Sequence, residues 1–308
     1  MIRGLAGLAL FALAVAGGGW GHALAQVALV ATWALAGLGL VLVVGQTGQL
    51  SLGHGAMLAL GAYVQAGLVA AGLPALLALP VAAAAGAALG LLASLPGRRL
   101  GGLAFGMSTL AFALIVEELL VRLAPWTGGA AGQVVPAFTV GPWRLSSPVA
   151  QAALSVAVLT LAWLACRRLI GSALGRAWRA SRDNEAAAMA IGVDVGAVRQ
   201  AAFVAGGALG ALAGALSAHW LGYLSPEQFG LGLSFELLMM VFVGGVRTPS
   251  GALLGGVVMV ALPQLIAIAR GALPVLGGGA AGLEVLLFGA VLVVIVLARP
   301  AGLAGDGR

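Results

Sequence analysis

The chain contains no lysine, a single cysteine and few charges of either sign. Among its 308 residues there are 15 basic residues, all of them arginine, and nine acidic ones. A nucleotide-binding P-loop needs a lysine followed by serine or threonine, so the sequence excludes such a loop. Cys166 has no second cysteine for a disulfide and no histidine nearby at a metal-binding spacing. If ATP drives the function of this protein, another protein must hydrolyse it.

Charge is scarce because the sequence is dominated by apolar residues. Hydrophobic residues make up 62% of the chain, charged residues 8%, and the mean hydropathy is +1.12. Soluble domains normally contain about a quarter charged residues. The composition predicts an all-α polytopic membrane protein, in which the basic balance reflects loops facing anionic lipid rather than nucleic acid. The three histidines form no arrangement with a nucleophile and an acid, so an enzyme is not predicted.

About 20 apolar residues make one crossing of a bilayer. On that basis the chain divides into about ten spans, near 4–19, 23–45, 50–71, 74–95, 101–122, 148–169, 197–218, 231–246, 251–270 and 281–298. A cleaved signal peptide is the alternative for the first segment. The sequence predicts one transmembrane domain over residues 1–308.

The arginines fix the predicted orientation of these spans. If both termini are cytoplasmic, only Arg122, Arg144 and Arg270 fall outside, as the positive-inside rule requires. Nine charged residues lie between positions 167 and 199, which predicts a cytoplasmic loop over about 170–196. The outer loop, about 123–147, is rich in proline, tryptophan and glycine and should form an ordered cap.

Glycine patterns predict how some spans pack. Gly206, Gly210 and Gly214 follow one another at i, i+4, which favours close packing in the protein interior over a pore-lining role. The segments 48–51 and 222–225 are similar, and each opens a span, in opposite directions. This similarity indicates an inverted repeat, a common plan among transporters.

Polar residues within predicted spans are the candidates for a solute path. Gln49, Ser51 and His54 lie in a stretch whose glycines predict backbone that leaves helical geometry, with a helix beginning near Gln49. His54 could contact solute, relay protons or hydrogen-bond across a packed interface. Glu236 lies inside another span, where an acid is costly, and it serves either transport or a buried hydrogen bond.

Within the charged loop, residues 184–192 predict a short amphipathic helix. Gly192 would end it at the C′ position, and Ser181 or Asp183 would cap its N-terminus. A stiff helix of small residues suits a groove on a partner protein. A plain surface helix is the alternative.

Motifs spread over nearly the whole chain resemble one known family. They include Gly48-Gln49-Leu50-Ser51-Leu52-Gly53-His54, Gly175-Arg176-Ala177-Trp178-Arg179-Ala180, Glu185-Ala186-Ala187 with Gly192-Val193, Ser225-Pro226-Glu227, Ser234 with Glu236, and Arg299-Pro300-Ala301-Gly302-Leu303. The sequence is similar to the permease subunits of branched-chain amino acid (LIV-type) ABC importers, in particular the LivM branch. Gly55, Met57 and the turn at residues 247–250 depart from the family pattern.

The resemblance implies an ABC importer permease of the bacterial inner membrane that works by alternating access. Its partners would be a second homologous permease, two cytoplasmic ATPases holding ATP and Mg²⁺, and a periplasmic or tethered solute-binding protein. The ATPase-coupling residues would be Arg179, Arg182, Glu185, Ala186, Ala187 and Gly192.

Two other functions remain open from the sequence. A related importer permease for urea, short amides or nucleosides would share the scaffold. An ion-coupled secondary transporter would use Glu236 and His54 as coupling groups, although clusters of acids in the spans are missing.

Overall fold

The computed structural model describes residues 19–98, 100–140, 143–145, 147–272, 286, 289–290, 293–295, 297–299 and 301–305. Its principal helices are α1 (Gly19–Leu40), α2 (His54–Ala70), α3 (Ala75–Ser94), α4 (Gly102–Arg122), α5 (Ala124–Thr127), α6 (Pro148–Gly171), α7 (Ala173–Asp183), α8 (Glu185–Ala190), α9 (Val195–Leu221), α10 (Leu231–Gly244) and α11 (Pro249–Ala272). A π-helical turn, Val41–Gln46, continues α1, and 3₁₀ turns span Leu95–Arg98, Gly129–Ala131 and Pro226–Phe229.

Four two-residue strands form two small antiparallel ladders. They are β1 (Gln133–Val134), β2 (Thr139–Val140), β3 (Trp143–Arg144) and β4 (Tyr223–Leu224). In one ladder β1 pairs with β4, and in the other β2 pairs with β3. The first ladder joins the loop that follows α4 to the chain that leaves α9, so these two helix ends lie at the same end of the molecule.

Seven helical segments among the described residues are long and apolar enough to cross a membrane. They are Trp20–Gln46, Ala75–Arg98, Gly102–Arg122, Pro148–Gly171, Val195–Leu221, Pro226–Gly244 and Pro249–Ile268, with His54–Ala70 as a shorter apolar helix. The prediction of an all-α polytopic membrane protein is confirmed. Residues 4–18 of the first predicted span lie outside the described residues, as does most of 281–298, so the count of ten stays a prediction.

Helix α9 lies at the centre, packed against α1, α2 and α3. A Cβ atom added at Gly206 would come 2.9 Å from the carbonyl oxygen of Gly39 in α1, and one at Gly214 would overlap the carbonyl of Leu58 in α2. The predicted interior packing is therefore present. The glycines face different helices because each step of four residues rotates the direction by about 40°. Their lack of side chains lets α1 and α2 both approach the α9 backbone.

Two long helices end at a glycine in the left-handed conformation, and each is followed by a stretch that is not α-helical and then by a new α-helix. Gly48 ends the α1 segment with φ 71°, and Gly222 ends α9 with φ 69°. We call the stretches 48–53 and 222–230 the inner break and the outer break. The two segments whose similarity the sequence indicated thus both begin with a left-handed glycine.

The start of α2 differs from the prediction. The sequence predicted a helix beginning near Gln49, but the backbone stays non-helical through Gly53 and α2 begins at His54. Ser51 therefore lies outside α2, and the predicted helix start was wrong. The physical reason is that left-handed Gly48 stops the helix, while the hydroxyl of Thr109 accepts the backbone hydrogen bond of Leu52 at 3.0 Å and supports the extended chain.

The two ends of the molecule differ in charge. One end, which we call the arginine end, brings the π-helical turn next to Arg182 and Arg247. Gly196 at the start of α9 lies there too, facing Arg98. The opposite end, called the strand end, holds the β1–β4 ladder.

Candidate functional site

The charged segment at the arginine end consists of two helices, α7 and α8, rather than an irregular loop. Ser172 caps α7, with its hydroxyl accepting from the backbone of Gly175 at 3.5 Å. On the inward face, Trp178 is completely buried, and its indole Nε1 donates to the carbonyl of Val198 in α9 at 2.7 Å. The segment is thus fixed to the membrane helices.

Helix α8 has well-formed caps at both ends. The side chain of Asn184 accepts from the backbone of Ala187 at 3.0 Å. At the other end, the N–H groups of Gly192 and Val193 donate to the carbonyls of Met189 and Ala188 at 3.0 Å each, the pattern of a Schellman motif. Gly192 has φ 85°, so its predicted role at C′ agrees with this geometry.

The predicted N-cap of α8 was wrong. Ser181 is buried within α7, where its hydroxyl donates to the carbonyl of Trp178 at 2.8 Å. Asp183 is the last residue of α7 and pairs with Arg182. The chain becomes extended only at Asn184, with φ −156° and ψ 105°, and the cap falls there because an N-cap residue takes this conformation.

The outer surface of α8 is exposed and partly apolar. Ala186 and Ala187 are exposed, and the side chains of Met189 and Ile191 are 54% and 77% exposed. Glu185 receives two hydrogen bonds from Arg199 of α9, at 2.8 and 3.1 Å, which hold the first turn of α8 in place. The result is an exposed surface that combines small and apolar residues.

Two of the predicted coupling arginines point toward the membrane helices. Arg179 donates to the carbonyl of Ile170 at the end of α6, at 3.0 Å. Arg182 donates to the carbonyl of Gly45 at the end of the π-helical turn, at 2.7 Å. The structure therefore separates the predicted coupling residues into an exposed group on α8 and an inward pair on α7.

His54 is enclosed where three helices meet. The ring lies beside the backbone of α1 near Ala36. A Cβ atom at Gly39 or Gly210 would lie 2.7 or 3.1 Å from Nε2 of the ring, which has no hydrogen-bond partner among the described residues. The ring is thus enclosed between α1 and α9, and its role stays a prediction.

Gln49 and Ser51 are buried in the inner break. The amide of Gln49 lies close to Gly97, whose added Cβ would be 3.2 Å from Nε2. Immediately after the break, the N–H of Gly55 donates to the hydroxyl of Ser234 in α10 at 3.0 Å. The start of α2 thus meets the start of α10, which brings the helices that follow the two breaks into contact.

Glu236 lines a cavity of about 640 Å³ among α1, α6, α9 and α10. Polar and aromatic residues share this lining, namely Thr32, Trp33, Gln151, Trp220 and Gln228. Gln49, Ser51 and His54 do not line the cavity, so the structure does not unite the four predicted path residues. The carboxylate has no hydrogen-bond partner among the described residues, and the buried hydrogen bond considered for it is not present there.

Sequence reasoning missed the aromatic part of this cavity. Trp33 lies in the middle of a span, a position that could have drawn attention to it, whereas Trp220 is next to the last residue of its span. The indole of Trp220 donates to the hydroxyl of Thr32 at 3.3 Å, linking α9 to α1.

A second missed feature is a buried polar network toward the strand end. Gln65 of α2 is fully buried and donates to the carbonyl of Ala75 at 2.9 Å. Its Nε2 also lies 3.1 Å from Nε2 of His219, whose Nδ1 is 3.0 Å from the carbonyl of Pro136. The network ties the outer loop to α2, α3 and α9. Over the described ranges, no three His, Cys, Asp or Glu residues come together as a metal site would require.

The helices, the two breaks and the exposed α8 define a polytopic membrane protein with an exposed helix at one end. Residues 22–296 match the model of the family described as "Branched-chain amino acid transport system / permease component". The chain belongs to this family of ABC importer permeases.

Several curated proteins are similar to the chain. The high-affinity branched-chain amino acid transport system permease protein LivM of Salmonella typhimurium (strain LT2) is 30% identical over 49% of this chain and 32% of its own length. LivM of Escherichia coli K12 is 29% identical over the same shares. The autoinducer 2 import system permease protein LsrC of Escherichia coli (strain K12 / DH10B) is 34% identical over 43% of this chain and 39% of its own length.

The aligned part thus spans about a third of the length of the LivM relatives. No solved structure matches significantly.

Proposed function

We propose that this chain is a permease subunit of an ABC importer that moves branched-chain amino acids across the bacterial inner membrane by alternating access. It would work with a second homologous permease, two cytoplasmic ATPases and a solute-binding protein. The observation on which this rests is α8, a capped helix whose exposed surface lies on a segment fixed to the membrane helices. Family membership supports the assignment.

The proposed orientation places the arginine end in the cytoplasm. Arg98, Arg182 and Arg247 lie at that end, whereas the strand end has Arg122 paired with Glu118 at 2.6 Å. Basic residues concentrate on the cytoplasmic side of membrane proteins. With ten spans, both termini would then be cytoplasmic.

In this orientation α8 is the helix that an ATPase binds. Small side chains at Ala186 and Ala187 permit close approach, and Met189 and Ile191 supply apolar surface that becomes buried on binding. Closure of the two ATPases would move α8, and Trp178 and Arg199 would pass the movement to α9.

The proposed path of the solute through the strand-end half of the molecule is the cavity that Glu236 lines. Branched-chain amino acids are favoured by the family description and by the LivM relatives. The LsrC relatives support a different solute, and a permease for urea, short amides or nucleosides is a further alternative within this class.

An ion-coupled secondary transporter is less well supported. It would need His54 and Glu236 to exchange a proton or an ion, yet His54 is enclosed by α1 and α9 and does not line the cavity of Glu236. The decisive measurement is uptake by the reconstituted complex with ATP and a protonophore. We expect uptake to persist, whereas its abolition while ATP is plentiful would favour the secondary transporter.

Docking is tested by Ala187→Arg and Gly192→Pro. Ala187 is exposed, so a long side chain there blocks the partner without disturbing the fold. Proline cannot adopt the φ of 85° at Gly192 and removes the N–H that closes α8. Both variants should reach the membrane but lose co-purifying ATPase and solute-stimulated ATP hydrolysis.

The matched control is Ala130→Arg in the outer loop, because Ala130 is exposed. Gly132 of the same loop is unsuitable as the control position, since its φ is 71° and the carbonyl of Leu224 occupies the space for a Cβ. The control should keep its ATPase. Normal docking and transport in both α8 variants would make α8 an ordinary surface helix.

A further inference from the structure

The π-helical turn ends at a junction of three parts of the chain. Its last carbonyl groups have no partner within the helix, as at every helix end. Arg182 of α7 satisfies one of them, since its Nη1 donates to the carbonyl of Gly45 at 2.7 Å. A hydrogen bond from a charged group is stronger than one between neutral groups. The charged segment thus contacts the inner break directly, across 137 positions of sequence.

The guanidinium of Arg182 is held in place from the other side. Its Nε and Nη2 lie 3.0 and 2.9 Å from Oδ1 of Asp183, and the Arg182 side chain is only 20% exposed. The aliphatic part packs against Gly48, where an added Cβ would lie 2.7 Å from Cγ of Arg182. Because Asp183 and Gly48 restrict it, this arginine acts as a short rigid connection rather than a mobile surface charge.

The turn between α10 and α11, residues 245–248, contacts the same π-helical turn. Gln46 donates from Nε2 to the carbonyl of Arg247 at 2.9 Å. The carbonyl of Val246 occupies the space that a Cβ at Gly45 would need. The end of α1 therefore lies between the charged segment and the α10–α11 turn, and a displacement of either one acts on it.

We propose that Arg182 is a positioning residue that transmits movement of α7 and α8 to the inner break. The proposal rests on the proposed function, because it assumes that α8 is driven by an ATPase. A π-helical turn is rare and marginal, so a small pull on its final carbonyl changes where the helix ends and how residues 48–53 enter α2. In this role Arg182 faces the permease itself, and ATPase docking does not depend on it.

The test compares Arg182→Ala with Arg176→Ala in the complete complex with its second permease and ATPases. Arg176 lies on the same helix and is exposed, so its replacement removes the same charge without touching the junction. We expect both variants to retain ATPase. Arg182→Ala should move about tenfold less solute per ATP, the loss expected when a coupling of about 1.4 kcal/mol disappears.

A second measurement does not depend on transport. Amide hydrogen exchange of residues 45–53 and of α8 is followed with and without a non-hydrolysable ATP analogue. In the unmodified complex, both regions should respond to the nucleotide. In Arg182→Ala, α8 should still respond, while residues 45–53 should exchange faster and no longer respond.

If Arg182→Ala does not reach the membrane, Asp183→Asn replaces it. That variant keeps the bond to Gly45 but loosens the guanidinium, and it should lower the solute moved per ATP by about twofold to threefold. Unchanged solute per ATP and unchanged nucleotide response at residues 45–53 in the variant measured would overturn the role of Arg182. The docking proposal would survive that result, because it is tested separately by Ala187→Arg and Gly192→Pro.

Discussion

The inner and outer breaks have the same backbone geometry at their first residue but opposite surroundings. Gly48 and Gly222 differ by only two degrees in φ. A Cβ at Gly48 would contact Arg182, whereas a Cβ at Gly222 would meet nothing within 4 Å. One break is therefore packed against the charged segment, and the other is open at its glycine.

The difference lies in what secures each break. The outer break is joined to the outer loop by the β1–β4 ladder and by the hydrogen bond from the hydroxyl of Tyr223 to the carbonyl of Ala131. The inner break has no strand pairing among the described residues and is secured by side chains, those of Arg182 and Thr109 in particular. Backbone ladders fix a local shape, while side-chain contacts from another helix make that shape depend on the position of the other helix.

The largest expected effect comes from replacing each glycine by valine. A β-branched residue at φ near 70° costs about 1–3 kcal/mol at either site. At Gly48 the new side chain also displaces Arg182. We expect Gly48→Val to lower uptake about tenfold at matched protein level, and Gly222→Val to lower stability while uptake stays within about twofold. Transport assays in vesicles measure uptake, and thermal unfolding in detergent measures stability. Equal losses of uptake in Gly48→Val and Gly222→Val would contradict the difference between the two breaks.

A smaller effect is expected at Glu236, which lies on the helix that follows the outer break. Its carboxylate opens to the cavity, unlike His54 on the helix after the inner break. Glu236→Gln keeps a polar group of the same shape and should keep uptake within about twofold. Glu236→Leu should reduce uptake about fivefold. That factor corresponds to the free energy lost with one ordinary hydrogen bond. Equal uptake in the three forms would remove Glu236 from the solute path.

At His54 the expected effect is on stability rather than on transport. Removal of the ring in His54→Ala leaves space between Gly39 and Gly210 and should cost about 1–3 kcal/mol. The midpoint of thermal unfolding should fall, and the protein that remains folded should transport normally. A variant with unchanged stability but no uptake would instead place His54 in the path.

The smallest effect is expected for Tyr223→Phe, which removes only the hydroxyl that bonds Ala131. The loss should be about 1 kcal/mol of stability, because the β1–β4 ladder remains. Faster amide exchange limited to residues 131–134 would be the corresponding signal. A large loss of uptake here would mean that the outer loop is part of the moving machinery.

Much of the architecture could be predicted from the sequence because it depends on local composition. Apolar runs indicated the spans, and seven described segments are long and apolar enough to be spans. The spacing of Gly206, Gly210 and Gly214 predicted an interior helix, and Gly192 was correctly placed at the end of α8. Each of these follows from residues within a few turns of one another, where the chain's own geometry sets the outcome.

The tertiary structure alone decided which partners these residues meet. The sequence grouped Arg182 with the coupling residues of the charged loop. No residue near Arg182 in the sequence indicates that its hydrogen-bond partner is the carbonyl of Gly45. It proposed Glu236 and His54 as members of one path, but only Glu236 lines the cavity. The cavity near Trp33 and Trp220 likewise forms only when α1, α9 and α10 are assembled. A single sequence records local preference, whereas contacts between distant residues depend on how close-packed helices fit together.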